Sequence, residues 1–255
     1  MDATHLIWQD RTLVLTGAAG GLGRACLKRW QSKPFKRLYA IVRTEASGRQ
    51  LMDDLHLNSD PRIQVWVEDA LHVEHGLYHI NSTSPQGHLE DPFPFDEVGL
   101  LVNNAGLGEE FTHPSYSVLD MEEEQLYRHV QVNEEYPRLW IKRVLPSMAQ
   151  CGFGRIVQVS SALSSLSQYV GENAVPAYRL SKMLLNGLTV LAAHEFKQPD
   201  IRINSLCPGW CQTAMGGPDA PLTSEDGARA IEQILEIPKG GWHGQLIING
   251  HPSMF

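Results

Sequence analysis

The chain has 255 residues, 42% of them hydrophobic and 20% charged, so it can bury a large core and is not a disordered, collagen-like or disulfide-stapled protein. Its 21 Lys and Arg stand against 29 Asp and Glu, and a net charge of -8 offers no general attraction for nucleic acid or anionic lipid. No stretch approaches the ~20 apolar residues of a bilayer span, and Met1 to Asp10 lacks the basic start and apolar run of a signal peptide, so a cytoplasmic chain without a membrane partner is expected.

Short apolar runs alternate with helical patterns from one end of the chain to the other, with no repeat and no linker to divide it. The runs that read as strands are Arg11–Thr16, Arg37–Val42, Arg62–Val67, Val98–Asn103, Arg155–Ser160, Ile201–Leu206 and Gln245–Ile248. Most lack polar alternation, as strands covered on both faces do. The pattern predicts a single α/β domain over residues 1–255: a Rossmann-type doubly wound sheet of about seven mainly parallel strands.

Among the helices, Asp120 and Glu123 read as a capping pair, followed by Leu126, Val130, Asn133, Pro137, Trp140 and Val144 at steps of three and four. That places polar Asn133 on an apolar face and predicts that Pro137 bends the helix or frees a carbonyl near residue 133. A second long helix is predicted from Pro176 to Phe196, with Leu180, Leu184, Leu188 and Leu191 as its apolar stripe. Between His72 and Pro94 a short helix and then an irregular loop are expected. His72, His75 and His79 could share a helical face, but there is no His-Glu-x-x-His and no nearby cysteine pair, so no metal is expected. Cys26, Cys151, Cys207 and Cys211 form no Cys-x-x-Cys pair and read as reduced thiols.

The first strand runs into Thr16, Gly17, two alanines, Gly20, Gly21, Leu22 and Gly23, and a helical pattern follows at once. Strand, glycine turn and helix N-terminus together suit a diphosphate, because glycines admit close backbone approach and free helix N–H groups face the charge. Tyr178 and Lys182 lie four apart in the long helix, close enough for an ammonium to lower a phenol pKa. Ser161 and its neighbour Ser160 end the fifth strand, where open α/β sheets bind ligands.

Thr16-Gly17-x-x-x-Gly21-x-Gly23, Asn103-Asn-Ala-Gly106, Ser160-Ser161, Tyr178-Arg-Leu-Ser-Lys182 and Pro208-Gly209 occur in that order. Together they resemble the short-chain dehydrogenase/reductase family over essentially the whole chain, and Cys207-Pro-Gly-Trp210 with the stretch after it is similar to the carbonyl-reductase branch. The resemblance implies that Tyr178 is the general acid, Ser161 polarises the substrate carbonyl, and Lys182 lowers the tyrosine pKa and binds the nicotinamide ribose. Ser160 stays open as the alternative to Ser161. Asn133 would hold a water in a proton relay, or tie its bent helix to a neighbouring strand.

Cofactor choice rests on the end of the second strand, where Arg43 stands in place of the acidic residue that would bind a free ribose. An arginine favours a 2′-phosphate, so NADP(H) is expected, with Glu45 as the residue that could overturn it. By the same resemblance Asp69 would hold the adenine amino group, Asn103, Ala105 and Gly106 would line the adenosine side, and Pro208, Gly209 and Thr213 would approach the nicotinamide or diphosphate. Leu163, Tyr169, Trp210 and Met215 are expected to form an apolar substrate mouth, unless Trp210 packs beneath its loop. The expected function is NADPH-dependent reduction of a ketone or aldehyde. An NAD-dependent alcohol dehydrogenase of the same fold and a non-catalytic NADP-sensing regulator are the alternatives. The partner is a small carbonyl or alcohol, and many relatives pair as homodimers or homotetramers.

Overall fold

Residues 3–80, 93–108, 117–165, 167 and 175–254 are described by a computed structural model. The strands are β1 (Thr12–Thr16), β2 (Arg37–Val42), β3 (Ile63–Val67), β4 (Tyr78–His79), β5 (Val98–Asn103), β6 (Gly154–Val159), β7 (Ile201–Cys207), β8 (Leu246–Ile248) and β9 (His251–Ser253). They form one sheet in the order β4-β3-β2-β1-β5-β6-β7-β8-β9. The seven expected strands are all present with ends shifted by a residue or so. The two additional ones are antiparallel edge strands of two and three residues, too short to carry a pattern in sequence. Every residue of β1 and β6 is buried, which is why these strands read as continuous apolar runs.

The helices are α1 (Ala3–Trp8), α2 (Gly21–Trp30), α3 (Glu45–Asp54), α4 (Glu123–Val130), α5 (Tyr136–Cys151), α6 (Pro176–Glu195) and α7 (Ser224–Leu235). One face of the sheet packs Leu13, Leu15, Val102 and Val157 with Leu27, Trp30, Ile231 and Leu235. The other packs Val14, Leu101, Ile156 and Ile203 with Trp140, Val144 and Met148. Each such fully buried aliphatic side chain contributes roughly 1.5–3 kcal/mol of transfer free energy. Among the described residues no helix is long and apolar enough to cross a membrane.

Three expectations change. The Asp120–Glu123 pair does not cap α4: Glu122 is the N-cap residue without a side-chain bond, and Asp120 instead accepts a hydrogen bond from the Ser117 hydroxyl at 2.7 Å. The short helix expected after His72 is a 3-10 turn, Val73–His75, but strand β4 follows it in place of the expected loop, and residues 81–92 lie outside the described residues. Three of the four stripe leucines of α6 face outward, with Leu184 50% and Leu191 63% exposed and Leu188 packed against the core, while Tyr178, Ser181, Lys182, Asn186 and Thr189 are buried. Polar partners on the sheet turn the helix that way. The Thr189 and Ser205 hydroxyls lie 2.8 Å apart, and the Ser160 hydroxyl donates to Asn186 Oδ1 at 2.8 Å. The bend at Pro137 is present as one π-helical turn, Gln131–Glu135, between α4 and α5.

Candidate active site

From β1 the chain moves outward to β2 and β3 before returning to β5 beside β1. The carboxyl ends of β1 and β5 therefore open a crevice at the point where strand order reverses. The glycines after β1 are there for space as well as conformation. Gly17 has a φ of +63°, and a Cβ on it would lie 2.7 Å from the Ala105 Cα. On Gly21 a Cβ would meet the Thr213 methyl at 2.7 Å, and on Gly23 the Gly17 carbonyl oxygen at 2.4 Å. Helix α2 starts from Gly20 with no side-chain cap, which leaves its first-turn N–H groups for a ligand. Leu22 points its side chain into the fold, where its Cδ2 would clash with any Cβ on Gly227, so only its backbone can face the turn.

Thr16 and Asn104 lock this turn to β5. The Thr16 hydroxyl accepts from the amides of Asn104 and Ala105, each at 3.0 Å, and Asn104 Nδ2 donates to the carbonyls of Thr16 and Gly17 at 3.0 and 3.1 Å. Thr16 is fully buried, so it supports the cradle rather than touching a ligand. Asn103 is also placed differently from expectation: it is buried, with Nδ2 directed at the Pro137 carbonyl at 3.5 Å. Ala105 and Gly106 follow it at the crevice floor. A Cβ on Gly106 would lie 3.4 Å from Asn133 Oδ1 and 3.6 Å from Lys182 Nζ, so this glycine covers both side chains.

At the end of β6, Ser160 and Ser161 take opposite sides. The Ser160 hydroxyl is buried and donates to Asn186, whereas Ser161 is partly exposed and its hydroxyl hydrogen-bonds Tyr178. Ser161 Oγ also accepts from the Leu163 amide at 3.1 Å, which fixes its rotamer. Burial lifts the Tyr178 phenol to about 12, against the opposing hydrogen bond from Ser161. The lowering by Lys182 expected from their spacing is not found. Lys182 Nζ lies 5.8 Å from the tyrosine ring centroid and donates to the Val159 carbonyl at 2.9 Å, and burial brings its own pKa down to about 8.

Asn133 sits in the π-helical turn, fully buried. Its Oδ1 accepts from the Leu107 amide at 2.8 Å, and its Nδ2 donates to the Leu107 carbonyl and to Ser181 Oγ, both at 2.9 Å. Ser181 and Asn104 are thus supporting residues, and their motifs alone assign them no role.

On the outer part of the crevice, Arg43 is exposed at the end of β2, and Thr44 caps α3 in a capping box with Ser47. Glu45 is taken up along α3 by an ion pair with Arg49. Asp69 follows β3, half-buried, with Oδ1 accepting from the Leu71 amide at 3.0 Å. From the far side of the sheet, Pro208 and Gly209 turn the chain after β7. Gly209 has a φ of +86° and lies where a Cβ would meet Leu222 at 2.4 Å. That turn brings Thr213 against Gly21. Leu163 is half-buried, Trp210 is 58% exposed with its indole N–H donating to the Gly216 carbonyl at 2.7 Å, and Met215 is 38% exposed. Tyr169 lies outside the described residues.

The sequence profile of the short chain dehydrogenase family matches residues 11–221. The chain belongs to that family. It is 36% identical over 235 residues to the oxidoreductase UcpA of Salmonella typhimurium, covering 89% of this chain and 80% of that one. Its fold is similar to that of the carbonyl reductase Sniffer of D. melanogaster, with a TM-score of 0.77 at 21% identity over 97% of this chain and all of the other. The NADPH-bound carbonyl reductase from chicken fatty liver superposes with a TM-score of 0.76 at 20% identity, over 97% and 100% of the two chains. At these identities the structural likenesses speak to the fold. With its family established, the chain is a short-chain oxidoreductase with the nicotinamide-binding fold of that family.

Proposed function

We propose that this short-chain oxidoreductase reduces ketones or aldehydes to alcohols with NADP(H). The observation that carries the reading is the hydrogen bond between Ser161, just after β6, and Tyr178, in the first turn of α6. The cradle suits a dinucleotide: Gly17, Gly21, Leu22 and Gly23 offer backbone at the uncapped start of α2, and Thr213 closes over Gly21. Arg43 would meet a 2′-phosphate, Asp69 the adenine, Ala105 and Gly106 the adenosine side, and Pro208, Gly209 and Thr213 the nicotinamide end. Glu45, the group that would oppose a phosphate, is paired with Arg49. NADPH in the chicken carbonyl reductase is in keeping with this choice. When bound, the nicotinamide supplies hydride.

Everything else falls to the chain's own residues. Ser161 Oγ orients the substrate oxygen. A Tyr178 phenol lifted to about 12 is protonated at neutral pH, the state that a donor to a developing alkoxide requires. Lys182 is held beneath Tyr178 by the Val159 carbonyl and would reach a ribose hydroxyl. Pro137 has no N–H to give the Asn133 carbonyl four residues before it, so that carbonyl would accept from a water leading to Lys182. Leu163, Trp210 and Met215 form the apolar mouth. The outward leucine face of α6 pairs two copies as a homodimer.

The test is a panel of ketones, aldehydes and diketones, followed by loss of NADPH absorbance. Substrate-dependent oxidation of NADPH is expected. NADPH binding without turnover across the panel would replace this reading with a sensing role.

A further inference from the structure

We infer that His72, Glu74 and His75 form a binding site for a divalent transition-metal ion of the zinc, copper or nickel class. The turn after β3 is a 3-10 turn, Val73–His75, with His72 at its N-cap, and residues three apart eclipse in that geometry. The two imidazoles accordingly stack, with centroids 5.3 Å apart and planes 17° from parallel. Glu74 reaches toward both. Its Oε1 lies 3.4 Å from His72 Nδ1 and 3.9 Å from His75 Nε2, and one ligand atom from each residue fits within 4.8 Å of the others.

Donor atoms on a tetrahedral zinc ion stand roughly 3.4 Å apart, given metal–ligand bonds of about 2.0–2.2 Å. The three side chains, 55%, 64% and 73% exposed, are free to make the small rotations that close this difference. The backbone beneath them is already fixed. The Leu71 amide donates to Asp69 Oδ1 at 3.0 Å, the His75 amide to the His72 carbonyl at 3.0 Å, and Gln131 Nε2 to the Leu71 carbonyl at 3.1 Å. Two imidazoles and one carboxylate suit zinc, copper or nickel and not magnesium or calcium, which demand more oxygen ligands. Water fills the remaining positions. His79 does not join the cluster, because β4 turns its ring edge-on against Trp66 at 5.4 Å. Glu74 takes the place in the cluster that the histidine spacing alone would have given to His79.

Tag-free, chelator-treated protein titrated calorimetrically with zinc chloride is expected to take up an ion at micromolar concentrations. The binding should weaken by an order of magnitude or more in His72→Ala and in His75→Ala, and less in Glu74→Gln, with magnesium chloride failing to compete. Copper bound to the unmodified chain should show hyperfine coupling to two imidazole nitrogens in its electron paramagnetic resonance spectrum, a readout that needs no variant to fold. Zinc affinity unchanged in both histidine variants, no uptake by the unmodified protein, or a copper spectrum without imidazole nitrogen overturns the site.

Discussion

Asn133 and Ser181 join the π-helical turn to α6: Asn133 Nδ2 donates to Ser181 Oγ at 2.9 Å, one residue before Lys182. The same amide brackets the Leu107 backbone, so both of its N–H groups are used within the protein. A side chain so fully engaged positions its surroundings. Any water in a relay at this point would find the Asn133 main-chain carbonyl instead, which Pro137 leaves without an amide one turn later.

Pro137→Ala tests that assignment. Alanine restores an N–H at the position that could satisfy the Asn133 carbonyl, so the π turn should relax toward regular helix. Turnover should fall about fivefold, the worth of one hydrogen bond of ~1 kcal/mol, while NADPH affinity and thermal stability hold or rise. Steady-state kinetics beside a fluorescence titration of NADPH would measure both, and an unchanged kcat would remove the carbonyl from the relay.

The two serines after β6 predict opposite phenotypes. Tyr178→Phe and Ser161→Ala should keep the fold and NADPH binding, and Tyr178→Phe should lose at least ~10²-fold in turnover. Ser160→Ala should instead act on stability, because the buried Asn186 Oδ1 loses its donor while Nδ2 keeps Ser164, at a cost of about 1–3 kcal/mol. Calorimetric melting and carbonyl reduction on the same preparations separate the cases. Full activity in folded, NADPH-bound Tyr178→Phe would end the proposed mechanism.

Much of this arrangement was legible in the sequence, and the exceptions have physical causes. Central strands declare themselves because both faces are covered, but β4 and β9 hold two and three residues at the sheet edges. The glycine turn was readable because Gly17, Gly21 and Gly23 leave no room for a Cβ. The outward leucines of α6 misled because periodicity reads apolar as inward. There the inward positions include Lys182, Asn186 and Thr189, which hydrogen-bond to β6, to Ser160 just after it and to β7, and Ser181, which bonds to Asn133, beside buried Ala177, Leu185 and Ala192. Asn103 and Asn104 stand side by side in one motif, and only the pleat at the end of β5 decides that the second holds the glycine turn while the first is buried below it.

Arg43 carries the cofactor prediction. Removing a charge-assisted contact worth roughly 1.5–3 kcal/mol should weaken NADPH about ten- to a hundredfold in Arg43→Ala, with NADH nearly unaffected. Competing titrations of the two cofactors measure this. Equal use of NADH and NADPH by the unmodified enzyme would count against the 2′-phosphate contact.

The leucine face of α6 predicts association. Leu180, Leu184 and Leu191 are exposed there, and Tyr127 of α4, which packs against α6, is 58% exposed. A patch of this kind is covered in a stable assembly more often than left to water. Leu184→Glu together with Leu191→Glu should convert a dimer to monomers in sedimentation without lowering the melting point of the monomer fold. A monomeric unmodified protein would show that the face is simply solvated.

Lys182 predicts a pH dependence with a definite sign. Burial brings its pKa from 10.5 to about 8, so between these values the unfolded chain binds a proton that the folded chain does not. Stability of the ligand-free enzyme should therefore rise with pH from about 8 to about 10.5, and at pH 7 the buried ammonium costs about 3 kcal/mol. Tyr178 works in the other direction, but only from pH 10 upward, where its phenol stays protonated in the fold up to about 12. Lys182→Met removes the first slope and leaves the Val159 carbonyl without its donor, a loss of about 1–3 kcal/mol that offsets part of the gain. Urea unfolding at pH 7, 8, 9 and 10 should show the unmodified enzyme gaining stability relative to Lys182→Met at each step. Parallel pH profiles for the two proteins would mean that Lys182 is solvated in the native state and not buried beneath Tyr178.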